Sequence, residues 1–293
     1  MANSTGQTEL TVILLTFNRE DLVEETLASL AEQEWDGDWE IVLLDNQSTD
    51  STPQILARWA EKMPVPTRIV VADEGKGVPY VRNAGARASD ARSILYLDDD
   101  DIILPGFVPA MAEALRDHEF VGPRHDYHHL NDERTARDRG GQTEALTIVD
   151  GVPVVAGGGF GCRRDLWTRL DGNDENFGTG QDIDFSMRVA ALGDVTPHFC
   201  EDAVYCVRVR TASTSSFTQG RRMGRAIVHV HKRHTSDVRP TPGATRRWRR
   251  RWLALALRVR TLRQPENRPR WGFDLGHEVG RLGGMLEFRT WYP

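Results

Sequence analysis

Four consecutive carboxylates, Asp98 to Asp101, stand between the apolar runs SILYL and IILP. Adjacent like charges repel and their burial is costlier still, so the run calls for a cation. Mg²⁺ and Mn²⁺ are hard ions bound by a few carboxylate oxygens, with the remaining positions left to water and substrate phosphates. In an extended segment alternate side chains share a face, which would set Asp98 beside Asp100 and turn Asp99 away. A solvated acidic turn is the bland alternative. It is disfavoured because Ile102, Ile103 and Leu104 follow at once and draw the cluster toward the core.

Strands and helices alternate around this run. TVILLTF (11–17) reads as a strand, Asn18 as the N-cap of the next helix with Asp21 three positions on, and Leu22, Val23, Thr26, Leu27 and Leu30 as that helix's apolar face. WEIVLLD (39–45) is a second strand, Thr52-Pro53 opens a helix reaching about Lys62, and TRIVVAD (67–73) is a third strand. VPYVRNAGARAS then gives a helix and SILYLD a fourth strand. The alternation implies an α/β fold whose parallel sheet is covered on both faces. Thr16, Asp45, Asp73 and Asp98 should then lie at the carboxyl ends of strands, where open α/β sheets bind ligands, with the three aspartates facing one crevice. FVPAMAEALRD reads as a helix, and the polar HDYHHLNDERTARDRGGQ as a loop over the site. VPVVAGGGFGCRRDLW runs from a strand through a glycine-rich turn into a helix, and a loop enters another helix near Asp182. DAVYCVRV is a further strand, with His198 placed before it.

Composition separates the tail from this body. The chain of 293 residues carries a net charge of −6, yet residues 240–270 hold ten Arg against one Glu, leaving the rest near −15. We read a body over 1–220 and a helical Arg- and Trp-rich extension over 221–293. In the extension Trp248, Trp252, Leu255, Val259 and Leu262 recur at helical spacing, a stripe that wants a partner. It would pack on the body, join a second subunit as a homodimer, or lie on an anionic membrane. Cys162, Cys200 and Cys206 form an odd set without CxxC spacing, so reduced thiols are expected. No run approaches the roughly 18 to 20 apolar residues of a membrane span, and MANSTGQTEL has no signal-like pattern, so the expected location is cytoplasmic or peripheral to a membrane.

TVILLTFNRE, IVLLDNQSTDST, GVPYVRNAGA, YLDDDDIILP, GGGFGCRRDLW and GQDIDFSMRVAALG occur in an order and at a spacing that resemble the family-two glycosyltransferases of the GT-A fold, over about residues 9–216. The resemblance implies a Rossmann-like αβα sandwich and a metal-dependent, inverting transfer of a sugar from a nucleotide diphosphate to an acceptor hydroxyl. It places Thr16, Phe17 and Asp45 at the nucleotide, Asp45 accepting from a pyrimidine imide N–H of a UDP- or dTDP-sugar. It places Arg82 and Asn83 near the diphosphate, Asp98 and Asp99 at the donor, and Asp98 and Asp100 at a Mn²⁺ or Mg²⁺ ion. Asp182 matches the general base, and Gly157, Gly158, Gly159 and Gln181 the acceptor side. The chain departs from the pattern twice. Gln181 stands where relatives carry Glu, and VYCVRVRTASTSS offers Cys206 or Arg208 where many carry a His. Arg208 or Arg210 is the substitute we expect to meet the leaving diphosphate.

A polysaccharide, a glycolipid or a secondary metabolite would serve as acceptor. A sugar nucleotidyltransferase is the alternative enzyme, disfavoured because TFNRED, not a glycine-rich basic loop, follows the first strand. A non-catalytic nucleotide- or RNA-binding protein would leave the carboxylates unexplained, and the tail lacks an RNA module's aromatic platform, so no nucleic acid is expected.

Overall fold

The computed structural model describes residues 7–210, 216–234, 244–258 and 268–287. In the first half the apolar runs become β1 (Leu10–Thr16), β2 (Trp39–Asp45), β3 (Thr67–Val71) and β4 (Ser93–Asp98). Between them lie α1 (Val23–Ala31), α2 (Thr52–Ala60) and α3 (Val78–Arg87). Every residue of β1 is buried, as expected of a strand covered on both faces. β1 runs parallel to β2 and to β4, with Thr16 opposite Asp45 and Leu15 opposite Asp98, so the carboxyl ends of three strands finish level.

The second half adds β5 (Ile102–Ile103), α4 (Phe107–Asp117), β6 (Phe120–Asp126), α5 (Glu133–Arg139), β7 (Thr147–Val149) and β8 (Val152–Val154). β9 (Gly161–Arg163), α6 (Arg164–Arg169), α7 (Gln181–Leu192) and β10 (His198–Cys206) follow. Eight strands form one mostly parallel sheet in the order β3-β2-β1-β4-β9-β6-β10-β5, with β7 and β8 paired separately. Period-two alternation sends Leu14, Leu43 and Leu97 into one core with Leu27 and Phe107, and Ile13, Leu44 and Tyr96 into another with Phe160 and Phe185. The αβα sandwich read from the sequence is therefore present.

Several local expectations are corrected. Asn18 does not cap α1. It has a left-handed backbone (φ 46°) and accepts from Thr49 N–H, and α1 begins five residues later, at Val23, without a side-chain cap. The His-rich stretch is not a plain loop, because β6 continues to Asp126 and Asp132 caps α5 by accepting from Thr135 N–H at 2.8 Å. His198 starts β10 and stacks on His118 at 3.8 Å. Cys162, Cys200 and Cys206 are buried and unbridged, and burial pushes Cys162 and Cys206 up to about 12.

The chain divides into two compact units, Met1–Val209 and Arg210–Pro293. The second contains α8 (Ser216–His234), α9 (Ala244–Arg258) and α10 (Arg268–Glu287). α8 and α10 meet through glycines: a Cβ added at Gly220, Gly224, Gly276 or Gly280 would come 2.0 Å from a carbonyl oxygen of the facing helix. Of the sequence stripe, Trp252 is half-buried and Leu255 buried, while Val259, Leu262 and the side chain of Trp248 lie outside the described residues. Among the described residues no helix is long and apolar enough to cross a membrane.

Candidate active site

A cleft of about 490 Å³ opens at the carboxyl ends of β1 and β4, lined by Thr16, Phe17, Arg82, Asp98, Asp99, Asp100, Gly157, Gln181 and Asp182 together with Arg19, Asn46 and Lys76. Asp98 ends β4, and the chain turns at once through Asp99 and Asp100. Strand alternation therefore stops at Asp98, which corrects the expected facing of these acids. Asp99 does not turn away from the site. It accepts from Phe17 N–H at 2.9 Å and from Arg19 Nε at 2.8 Å, tying the acidic turn to the end of β1. Asp101 turns inward and accepts from Arg208 N–H at 2.6 Å.

Tyr205 fixes this turn from beneath. β5 pairs antiparallel with β10, bringing Tyr205 opposite Ile103. Its buried phenol oxygen accepts from Asp98 N–H at 3.1 Å and shares a hydrogen bond with Asp101. The glycine turn packs on the same group: a Cβ at Gly158 would lie 2.5 Å from Tyr205 Oη and 2.6 Å from Asp98 Oδ2, and one at Gly159 would lie 2.4 Å from the Tyr205 ring. Gly157 and Gly159 also have φ of 88° and 74°, a region that glycine enters without strain. His125 Nε2 donates to Gly158 O at 3.0 Å, and its ring meets Tyr205 edge-on at 5.7 Å. Burial holds this imidazole below its ordinary value, although Gly158 O and the Asp182 charge oppose the shift.

Asp182 lies in the first turn of α7, where the helix N-terminus favours negative charge. Its Oδ2 accepts from Gly157 N–H at 2.7 Å and its Oδ1 from Ile183 N–H at 2.9 Å, so the carboxylate is oriented across the cleft mouth. Asp184 is buried and holds Arg188 at 2.9 Å; Arg188 in turn donates to Leu170 O and Gly172 O, which makes this pair an anchor for the loop before α7.

Arg82 is 2% exposed and its Nη2 stands 4.0 Å from Asp98 Oδ1. Its guanidinium lies over Phe160, 4.7 Å from the ring centroid, and its Nε and Nη1 are buried without a hydrogen-bond partner. A buried donor left unmade costs about 1–3 kcal/mol; the nitrogen turned to the cleft-lining Asp98 and Gly157 is Nη2. Burial raises Asp98, the charges of Asp100 and Asp182 add to that rise, and Arg82 opposes it. Asp99 is pushed up to about 6 by burial, against Arg19.

This crowding is the test of an ion. Asp98, half-buried with its side chain 35% exposed, shares the cleft with Asp100 and Asp182, and a divalent cation would relieve their repulsion. Among the described residues no group of three or more acids, histidines or cysteines forms a ready cage. Two carboxylates completed by phosphate oxygens and water are the mode that suits Mg²⁺ or Mn²⁺. The residues present fit the group.

Other expected site residues are placed elsewhere. Asp45 is buried and accepts from Ser48 N–H, capping the turn after β2. Asp73 is exposed beyond β3, which ends at Val71, so only Asp98 of the three strand-end aspartates lines the cleft. Asn83 donates to Asn173 O and Glu175 Oε1, holding the loop before α7. Arg208 supports the acidic turn from behind, through Asp100 O at 2.9 Å and Glu25 Oε2 at 2.6 Å. Arg210 is the first residue of the second unit. Sequence reasoning missed Arg19, Asn46, Lys76, Tyr205 and His125. Arg19 stands in TFNRED, two residues beyond the expected strand, and its nearness to an acidic run was the one signal available. A wider cleft of about 860 Å³ lies at the other end of the strands. Four of its five arginines hold structure, Arg163 and Arg164 on the carbonyls of Leu115 and Ala91, Arg116 on Glu9 and Arg169 on Asp194, and the carboxylates that could hold an ion lie in the smaller cleft.

The profile of glycosyl transferase family 2 matches residues 11–170, more than half of the chain and including the acidic turn and the glycine turn. The chain belongs to this family. Asp182 lies beyond the matched segment. The validoxylamine A glucosyltransferase of Streptomyces hygroscopicus subsp. limoneus is 31% identical over 106 residues, which are 36% of this chain and 23% of that protein. The matched segment thus spans about a quarter of that relative's length. A mannosyltransferase from Pyrobaculum calidifontis, solved with GDP-Man and Mn²⁺, aligns at TM-score 0.67 and 19% identity over 98% of this chain and 90% of its own. TarS 1–349 of S. aureus, solved with UDP-GlcNAc, aligns at TM-score 0.54 and 17% identity over 98% and 93%. These structures share the GT-A fold with this family member.

Proposed function

We propose that this chain is an inverting, metal-dependent glycosyltransferase that moves a sugar from a UDP- or dTDP-sugar to an acceptor hydroxyl. The observation that carries the reading is the convergence of Asp98, Asp100, Asp182 and the under-partnered guanidinium of Arg82 on one cleft at the carboxyl ends of β1 and β4. Thr16 and Phe17 border the nucleotide, whereas Asp45 lies outside the cleft lining, caps the turn after β2 and is given no part in binding the base. Arg82 supplies N–H donors to the diphosphate. Asp98 and Asp100 would hold a Mn²⁺ or Mg²⁺ ion, which when bound adds positive charge where the leaving group becomes negative.

Asp182 is the base. The acceptor oxygen bonds to the anomeric carbon as the bond from that carbon to the phosphate oxygen breaks, the diphosphate leaves with the electron pair, and the acceptor proton passes to Asp182. The Gly157 and Ile183 N–H groups hold the carboxylate in place for this transfer. Gly157 to Gly159 and Gln181 form the acceptor side. The acceptor is a hydroxyl of a growing polysaccharide, a glycolipid or a secondary metabolite.

Asp182→Asn is expected to fold, to gain thermal stability from UDP-sugar plus Mn²⁺ as the parent does, and to lose turnover by about 10²–10⁴-fold. Near-parental turnover would remove Asp182 from the base role. A panel of nucleotide sugars scored by Mn²⁺-dependent thermal shift is expected to select a uridine or thymidine donor.

A further inference from the structure

The second unit carries a surface that the proposed transfer does not use. α9, ATRRWRRRWLALALR, contains six Arg and no acid. One side of it is covered, with Leu255 buried and its carbonyl oxygen accepting from Trp271 Nε1 of α10 at 3.2 Å. On the other side Arg250, Leu253 and Leu257 follow at spacings of three and four, which lines them up along the helix. Leu253 and Leu257 are 60% and 58% exposed, with Arg250 exposed on the same line and Arg251 exposed on the flank toward Leu255. Leucines left in water forgo the stabilisation that burial would give them.

Charge calls for an anionic occupant, and the exposed leucines call for one with an apolar layer beneath the charge. Arg210–Pro293 holds 19 Lys and Arg against 5 Asp and Glu, a net of +14, whereas Met1–Val209 holds 18 against 38, a net of −20. A second copy's α9 would bring like charge against like charge. A nucleic acid would meet the arginines and leave the leucines wet. A lipid surface with anionic headgroups above an acyl boundary satisfies both. We propose that α9 docks this protein in the plane of an anionic membrane, Leu253 and Leu257 entering the acyl boundary and Arg250 and Arg251 meeting lipid phosphates.

The full chain should be sedimented with vesicles of phosphatidylcholine alone and of phosphatidylcholine with an equal share of phosphatidylglycerol, at low salt and at about 0.5 M salt. Binding is expected with the anionic vesicles only, and to fall at high salt. Leu253→Gln with Leu257→Gln should weaken it by about tenfold or more, and Arg250→Gln with Arg251→Gln by a similar factor. Neither pair is among the residues lining the cleft, so the thermal shift with nucleotide sugar and Mn²⁺ should stay at the parental value, and this readout stands or falls separately from the glycosyltransferase reading. No binding to anionic vesicles, equal binding to neutral ones, or anionic binding unchanged in the leucine variant would each overturn the proposal. A dimer that the leucine substitutions dissolve, without vesicle binding, would overturn it in favour of a second copy.

Discussion

Asp98 is held at its backbone as well as by its charge. Its N–H donates to Tyr205 Oη, and the missing side chain of Gly158 leaves room for its carboxylate. Gly158→Ala would set a Cβ 2.6 Å from Asp98 Oδ2, so the acid or the glycine turn must move. We expect Mn²⁺-dependent nucleotide binding, followed by calorimetry, to weaken at least about tenfold while the fold survives, since a small-to-large change costs only about 1–3 kcal/mol. Unchanged binding would mean that Asp98 does not serve the ion. Tyr205→Phe deletes one hydroxyl and leaves both Asp98 N–H and Asp101 short of a partner, at a cost of about 1–3 kcal/mol in unfolding free energy. Its denaturant midpoint should fall, and its half-saturating Mn²⁺ concentration should rise. His125 supplies a pH signature. An unfolded histidine titrates near 6.5, whereas burial lowers the value in the fold, so the folded state binds fewer protons once the pH drops below about 6.5. The stability present above that pH is lost as acidity carries it through the folded value. His125→Gln retains a donor for Gly158 O and cannot titrate, so its melting temperature should decline less between about pH 7 and pH 5 than that of the parent. Parallel curves would refute the assignment.

Elements explain which parts of the site were legible in the sequence. β1, β2 and β4 announce themselves through unbroken apolar runs, and the rule that ligands sit at strand carboxyl ends then found Thr16 and Asp98. The acids after Asp98 were legible as a group but not in their facing, because β4 stops there and a turn has no period. Tyr205 meets Asp98 across 107 positions of chain and His125 meets Gly158 across 33, separations at which one sequence carries no pairing signal. Asn83 sits on the same helix as Arg82, yet α3 turns it to the loop before α7. The helical reading of the extension left its glycines unexplained, because glycine disfavours isolated helices by about 1 kcal/mol per residue relative to alanine. Their reason is the neighbouring helix. Gly224 faces His277 O and Gly280 faces Arg221 O, each so closely that a Cβ would overlap. Gly280→Val should therefore force α8 and α10 apart, and the helical circular dichroism of the full chain should drop or melt earlier. A variant with parental signal and melting would show that the two helices tolerate separation.

At the scale of the whole molecule, the net charge of −6 conceals two opposite objects, +14 over Arg210–Pro293 and −20 over Met1–Val209. Salt should therefore act with opposite sign on two ligands that are both anionic. Docking on anionic vesicles is an attraction, and screening weakens it. Nucleoside diphosphate approaching the cleft without a divalent ion meets the field of a body with 38 acids, and screening lessens that repulsion. With Mn²⁺ present the ligand arrives largely neutralised and its affinity should depend little on salt. We expect UDP affinity in chelator, measured by calorimetry, to rise severalfold as salt increases from about 0.05 to 0.5 M, across which the screening length shrinks from above 10 Å to a few ångströms. A fall over the same range would mean that Arg82, Arg19 and Lys76 outweigh the field of the body at the cleft, and that the ion is needed to place the phosphates rather than to offset charge.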